Sequence, residues 1–350
     1  MAIAETSSDD APLVFLLPVF NDWLALDTLL LHLDDVLRAA ATEGEVLVVD
    51  DGSTDAGGPS PQRLGAIRRV QVLRLRRNLG HQRAIAVGLA YLEANVPCRA
   101  VVVMDSDGED DPCDVPRLLR QCEAEGFRKI VFAQRTKRSE TRLFRFFYAV
   151  YRMLYRLLTG QDVRVGNFSV VPQQRLASLV AVAELWNHYA AAVYKSRQPC
   201  CGIATCRAKR LAGQSRMNFV NLVIHGLSAI SVHADVVGVR LLIASLLAIA
   251  ATAVGLTGIV ALRLLTRLAI PGWATSAAGL LAVVLLQLVL FSVVFCFITL
   301  SNRQGTTVLP LRDYRYFVAS VDSMAVAADC GLSEFAELAH DRPDLIVKGG

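Results

Sequence analysis

Val46-Leu47-Val48-Val49-Asp50-Asp51-Gly52-Ser53-Thr54-Asp55 and Ala100-Val101-Val102-Val103-Met104-Asp105-Ser106-Asp107 share one plan: an unbroken apolar run that ends on paired carboxylates. Short valine-rich runs bounded by turn residues read as buried strands. Leu13–Leu17, Val70–Leu75 and Lys129–Ala133 read the same way, and Trp23–Ala41, Gln82–Ala94 and Val115–Glu125 carry the spacing of helices. Continuous apolar strands alternating with helices predict an α/β fold, a parallel sheet covered on both faces. Such sheets bind ligands beyond the carboxyl ends of their strands. The residues that follow each strand are therefore the candidate site.

The chain has 350 residues, a net charge of +4 and 53% hydrophobic residues, with a mean hydropathy of +0.41. The apolar excess is concentrated between Leu241 and Leu300. Leu241–Leu262 holds no charged residue across 22 positions, and at ~1.5 Å per residue this spans roughly 33 Å, enough for a bilayer core. A second uncharged stretch runs from Leu268 to Asn302, densest at Ala277–Leu300, with Arg263, Arg267 and Pro271-Gly272 between the two. Buried core helices are the competing reading, and the lengths favour membrane spans. MAIAETSSDD at the start is polar and acidic, without a basic or apolar leader region, so the domain that follows is expected in the cytosol. Arg263 and Arg267 in the far loop run against the positive-inside rule. The small basic excess does not point to nucleic acid and suits an anionic membrane surface. The eight cysteines contain no CxxC pair, and no His stands at a ligand-like offset from Cys200, Cys201 and Cys206. They read as reduced thiols.

Asp50 and Asp51 can accept hydrogen bonds from a base or ribose, or can simply cap a turn. Asp105 and Asp107, one residue apart, can share a hard divalent cation bridging two phosphates, or can belong to a solvated acidic loop continuing through Glu109, Asp110 and Asp111. Arg76-Arg77-Asn78-Leu79-Gly80-His81 leads into a helix, and Asn78 and Gly80 suit an anion or a sugar phosphate. A plain basic turn is the alternative.

In order along the chain stand PVFND (18–22), VVDDGSTD (48–55), RNLGHQRAIAVGL (77–89), MDSD (104–107) and DDPCDVP (110–116). The set resembles the family 2 glycosyltransferases of GT-A fold. Together with Arg135, GNFSVV (166–171), the Arg210–Arg216 run and the two apolar stretches, it looks like the polyprenyl-phosphate glycosyltransferases, the dolichol-phosphate mannose synthase and bactoprenol glucosyltransferase group. The resemblance covers roughly residues 12–300. It implies a GT-A Rossmann-like nucleotide-sugar-binding domain with a C-terminal two-helix transmembrane anchor. The expected layout is a disordered N-terminus at 1–11, a catalytic domain at 12–217, a juxtamembrane interfacial helix at 218–238, two transmembrane helices at 239–302 and a cytosolic tail at 303–350.

The resemblance also implies roles. Pro18, Phe20, Asn21 and Asp22 match the segment that contacts the nucleotide, and Asp50 and Asp51 match the contacts to base and ribose. Asp105 and Asp107 match the pair that binds Mg2+ or Mn2+. Arg210, Ser215 and Arg216 match an RxxGxS element against the pyrophosphate, with Arg216 in place of the usual Lys. Asn167 stands where the family usually has an acid, and an amide is no general base. A phosphate acceptor needs less help than a hydroxyl, since its second pKa is about 6. The implied reaction is inverting transfer from a nucleotide-sugar donor to a polyprenyl phosphate at the cytosolic face of a bacterial inner membrane. Membrane lipid is an implied partner, nucleic acid is not, and a homo-oligomer is compatible with it. The rival readings are a lipid or glycan hydroxyl acceptor and a non-catalytic scaffold. The chain lacks the QxxRW signature of processive synthases.

One pattern stands outside these motifs. Arg138, Arg142, Arg145, Arg152 and Arg156 fall within roughly 40° of one line on a helix, with aromatic residues mainly opposite. Such a helix suits a lipid interface, and Arg138, Arg142 and Arg145 are candidates for holding an acceptor phosphate. A surface helix whose aromatics cover the sheet is the alternative. Phe219–Val237 reads as a second interfacial helix, with His225 and His233 expected on its polar face.

Overall fold

The computed structural model describes residues 11–55, 57–60, 64–137, 142–161, 165–206, 208, 210–211, 219–266, 272–304 and 308–324. They form two compact units, one drawn from 1–138, 164–216 and 309–350, the other from 139–163 and 217–308.

In the first unit the apolar runs become β1 (Leu13–Val19), β2 (Gly44–Asp50), β3 (Ile67–Leu75), β4 (Ala100–Val103) and β5 (Ile130–Lys137), interleaved with α1 (Trp23–Ala39), α2 (His81–Asn95) and α3 (Val115–Ala124). These match the expected elements within a few residues. The chain then gives α4 (Arg142–Thr159) to the second unit and returns as β6 (Ser169–Pro172), α5 (Gln173–Val180), α6 (Tyr189–Lys195) and β7 (Cys200–Cys206). A last strand, β8 (Val318–Met324), follows the second unit.

The strand order is β7-β5-β6-β4-β1-β2-β3-β8. β1 pairs in parallel with β2 and β4, β2 with β3, and β5 with β7. β6 runs antiparallel to β4 and β5, and β8 antiparallel to β3. The sheet is therefore mixed: the expected parallel pairing holds for β1, β2, β3 and β4, and β6 and β8 are antiparallel additions to it. A parallel return requires a crossover, usually a helix packed on the sheet. Between β5 and β6 the chain's helix belongs to the other unit instead. β8 reads VASVDSM and is mostly exposed. It is a strand because it pairs with the edge of β3, not because of any apolar run, so the segment expected to be only a tail completes the sheet.

Both faces of the sheet are covered. Val14, Leu16, Leu47, Val49, Val101 and Val103 pack with α2, α5 and α6. Phe15, Leu17, Val46, Val48, Val102 and Met104 pack with α1 and α3. Alternate residues face opposite layers and both layers are dry, which is why the strands read as unbroken apolar runs. Full burial of each such side chain contributes about 1.5–3 kcal/mol. Val19 stands opposite Asp50 and Leu16 opposite Val103, so β1 and β2 end level and β4 stops three residues earlier, leaving its acidic loop beside the end of β1. The chain leaves β1 for β2 and β3 on one flank and comes back to β4 on the other. This reversal of strand order is where α/β sheets bind ligands.

In the second unit α4 is joined by α7 (Phe219–Ser231), α8 (Ala234–Leu265) and α9 (Trp273–Gln304). Ala234–Leu265 and Trp273–Phe297 are long and apolar enough to cross a membrane. Leu246, Leu247, Leu264, Leu286, Leu290, Phe291 and Phe297 point outward, unlike the side chains of a soluble core helix. The stretch expected as one helix, Phe219–Val237, breaks between Ser231 and Ala234. His233, expected on a polar face, is buried, with its ring edge-on to Tyr155. The α4 surface has an outward apolar stripe, Val150, Met153, Leu154 and Leu157. On another side the Tyr151 hydroxyl donates to the Gly226 carbonyl at 3.3 Å, and Arg240 donates to the Leu157 carbonyl at 2.6 Å.

Asp34 ties α1 to the start of β3. Its buried carboxylate accepts the backbone N–H groups of Gly65, Ala66 and Ile67 at 2.8–3.0 Å and pairs with Arg38. Burial pushes its pKa up, but the three N–H donors and Arg38 outweigh that and hold it below the ordinary carboxylate value. A depressed folded pKa stabilises the fold above the unfolded value, and this contribution is lost as pH falls through the folded one. Asp34→Asn is expected to cost about 1.5–3 kcal/mol at neutral pH. Denaturant titrations below pH ~4 should show a shallower acid loss in the variant than in the wild type.

Candidate active site

The turn after β2 is braced before it does anything else. The Asp50 carboxylate accepts the Ser53 N–H at 2.9 Å and pairs with Arg74 at 3.0 Å. Arg74 in turn reaches Asp322 of β8. Both Asp51 oxygens are engaged, accepting the N–H of Leu79 at 2.7 Å and of Gly80 at 2.9 Å. A side chain at Gly52 (φ +69°) would lie 2.5 Å from the Arg77 carbonyl carbon, so the turn and the 76–80 loop stand back to back. Asn21, itself left-handed at φ 50°, accepts the N–H groups of Thr54 and Asp55 and donates to the Thr54 hydroxyl. Residues 20–22 after β1 are thereby stapled to the same turn.

The loop after β4 is held as firmly. Ser106 turns inward and donates to the Pro18 carbonyl at 2.7 Å. Buried Asp110 accepts the Asp105 N–H at 3.0 Å, and Asp107 accepts the Glu109 N–H at 3.0 Å. Asp105 and Asp107 remain 26% and 21% exposed. Asp105 meets His81 at 3.1 Å. Asp107 meets Arg210 at 3.1 Å, and the same guanidinium pairs with Asp22. The segment carrying Arg210 is pinned by Leu211 N–H to the Asp107 carbonyl and Ala208 N–H to the Glu109 carbonyl. Gly108 (φ +79°) makes this possible, because a Cβ there would lie 2.3 Å from Leu211 Cγ.

Charge accumulates at this edge. Burial raises the Asp107 pKa, and the neighbouring Asp105 carboxylate adds to it against the opposing pull of Arg210. Burial likewise raises Asp51 in spite of its two N–H donors. Burial alone would lower the His81 pKa, but the contact with Asp105 and the charges of Asp107 and Asp110 outweigh it and raise it.

Asn167 closes the arrangement, and its orientation is fixed from behind. The Tyr189 N–H donates to Gln82 Oε1 at 2.7 Å, which turns Gln82 Nε2 toward Asn167 Oδ1 at 3.1 Å. Asn167 Nδ2 then faces His81 Nε2 at 2.9 Å and Asp105 Oδ1 at 3.4 Å. The position presents a donor to the acidic loop.

Residues 15–179 match the family described as Glycosyl transferase family 2. This segment is similar to a family 2 glycosyltransferase domain. It is 31% identical over 163 residues to the uncharacterized glycosyltransferase YkcC of Bacillus subtilis, covering 45% of this chain and 48% of that one. It is 32% identical over 111 residues to the undecaprenyl-phosphate 4-deoxy-4-formamido-L-arabinose transferase of Pseudomonas fluorescens, 31% of each chain. The chain thus spans about half the length of the first relative and a third of the second. The glucosyl-3-phosphoglycerate synthase of Mycobacterium tuberculosis, in complex with Mn2+, UDP and glucosyl-3-phosphoglycerate, superposes at a TM-score of 0.45 and 17% identity over 66% of this chain and 81% of that one. That likeness is too loose to add to the family match.

Within the first unit, Pro18, Asp22, Asp50, Asp51, Gly80, Asp105, Asp107, Asn167 and Arg210 come together through the contacts above. Phe20 and Asn78 are exposed on the same loops. Arg135 lies in β5, paired with Thr205. Arg142 and Arg145 lie in α4, in the other unit. Arg138, Ser215 and Arg216 fall outside the described residues, as do His225's side chain and the tail after Met324. Asp50 and Asp51, expected to contact base and ribose, spend their oxygens first on bracing the loops. His81, Gln82, Asp110 and Arg74 were given no role by the motifs. Only His81, following Gly80 at the head of α2, carried a hint. Asp105 and Asp107 suit a hard divalent cation, being two carboxylates on one loop, with burial and then the charge of Asp105 raising Asp107.

Gly108→Ala is expected to lower stability by about 1–3 kcal/mol through the clash with Leu211, measured by thermal or denaturant unfolding. Leu211→Ala in the same chain should recover the steric part and leave the cost of the left-handed backbone.

Proposed function

We propose that this chain is an inverting glycosyltransferase that moves a sugar from a nucleotide-sugar donor to the phosphate of a polyprenyl lipid at a membrane surface. The observation that carries the reading is the cross-tied acidic edge: Asp105 against His81 and Asn167, Asp107 joined through Arg210 to Asp22. The charges there hold one another in place, and the Glu109 N–H fixes Asp107, so little reorganisation accompanies charge development in the reaction. When bound at Asp105 and Asp107, Mg2+ or Mn2+ supplies positive charge to the leaving diphosphate. Arg210 adds a guanidinium beside it, suited to phosphate oxygens. The N-terminus of α2, opened by Gly80 at φ 94°, offers backbone N–H groups and the positive end of the helix dipole to an anion. Pro18, Phe20, Asp22, Asn78 and Arg135 are assigned to the donor, with Ser215 and Arg216 at its pyrophosphate.

In the reaction an acceptor phosphate oxygen bonds to the anomeric carbon, and the bond from that carbon to the diphosphate breaks, inverting the centre. The ionised phosphate has no proton to lose. This suits Asn167, whose amide donates and cannot act as a base. The bacterial relatives named as undecaprenyl-phosphate transferases support a lipid phosphate as acceptor. The two long apolar helices support an anchored protein, and we assign the catalytic domain to the cytosolic side of a bacterial inner membrane. The arginine periodicity that runs from Arg138 to Arg156 in the sequence is assigned to the headgroup region, with Arg138, Arg142 and Arg145 guiding the acceptor phosphate.

Full-length protein in lipid nanodiscs should transfer radiolabel from a nucleotide sugar to polyprenyl phosphate and not to diacylglycerol, and transfer to diacylglycerol alone would overturn the acceptor assignment. Asp105→Asn should reduce turnover by about 10²–10³-fold with thermal unfolding retained. Reversing charge at Arg142 and Arg145 should raise the KM for the lipid acceptor more than that for the donor, and equal changes in both would refute the stripe's role.

A further inference from the structure

A second group of metal-binding side chains stands apart from the acidic edge. His32 lies on α1, Cys113 lies in the turn at Pro112–Asp114 that precedes α3, and Asp111 caps that turn. Their donor atoms, an imidazole nitrogen, a carboxylate oxygen and a thiol sulfur, all lie within 4.8 Å of one another. Cys113 Sγ is 3.8 Å from His32 Nε2. Asp111 caps the turn, accepting the Cys113 N–H at 2.9 Å, so two of the three groups are held in one local frame. Tetrahedral zinc takes sulfur at about 2.3 Å and nitrogen or oxygen at about 2.0–2.2 Å, which sets neighbouring ligands roughly 3.5 Å apart. The observed spacing needs only small rotations of partly exposed side chains.

We propose that His32, Asp111 and Cys113 form a binding site for a borderline-soft divalent ion, Zn2+ by chemistry. Thiolate and imidazole ligands select zinc over magnesium or calcium, whereas Asp105 and Asp107 offer only hard oxygens. Three protein ligands leave a fourth position to water. The site joins α1 to the segment that continues the β4 loop. Asp110, which accepts the Asp105 N–H, immediately precedes the ligand Asp111. An ion here would clamp that loop to α1 independently of any donor or acceptor. The competing account is a bare thiol–imidazole hydrogen bond with no ion.

Cobalt titration of the full-length protein in detergent separates the two. The wild type should develop a thiolate-to-cobalt charge-transfer band that added Zn2+ abolishes, and Zn2+ should raise its thermal midpoint. Cys113→Ser and His32→Asn should each lose both effects. Asp105→Asn, lacking only a carboxylate of the other site, should keep the band. Absence of the band in the wild type, or its persistence in Cys113→Ser, would overturn the proposal.

Discussion

The backbone N–H groups of Leu79 and Gly80 belong to a loop with no strand partner, and the buried carboxylate of Asp51 takes both. Much of the site follows from this. The loop cannot drift from the turn after β2, because Gly52 lets the two backbones touch. The first residue of α2 is then His81, already aimed at Asp105. Keeping a carboxylate dry is costly, and its raised pKa records that cost. Two charge-assisted bonds to backbone offset it in part. What results is a rigid corner from which the imidazole reaches across to the next strand's acids.

The strands and helices up to β5 were legible because each leaves a one-dimensional trace: apolar runs bounded by turn residues, and acids just beyond. β6 and β8 leave a weaker trace. The first has four residues, and the second is an exposed edge strand whose sequence is ordinary for a loop. Pairing with a distant strand creates them. The same holds for α4. Its arginine periodicity was visible, but its membership of the helical unit was not, since packing partners at 219–240 leave no mark on the helix's own sequence.

In the site, the sequence named the acids, Arg210 and Asn167, and missed His81 and the contacts that join them. Asp105 and Asp107 announce themselves by spacing. That Arg210 joins Asp107 to Asp22 needs β7 and the loop after β4 to lie side by side, which Gly108 permits. The resemblance marked Asn167 as a departure. Its orientation depends on a relay through Gln82 to the backbone of Tyr189, which no motif encodes. His32 and Cys113 are 81 positions apart, far outside any local ligand pattern, and only α1 packing on the 112–114 turn unites them.

β8 also makes the chain's path discontinuous: the first unit is entered, left for the two long helices, and finished by residues after them. A shortened chain ending at the second long helix would keep every acid of the site and still lack the sheet's border. β3 would then offer its outer edge along Val70–Leu75 to other molecules, an open template for self-association. Arg74 would lose Asp322 and keep only Asp50 as its acidic partner among the pairs described. For this protein, removing the far end to obtain a soluble first unit would damage the very layer it was meant to isolate.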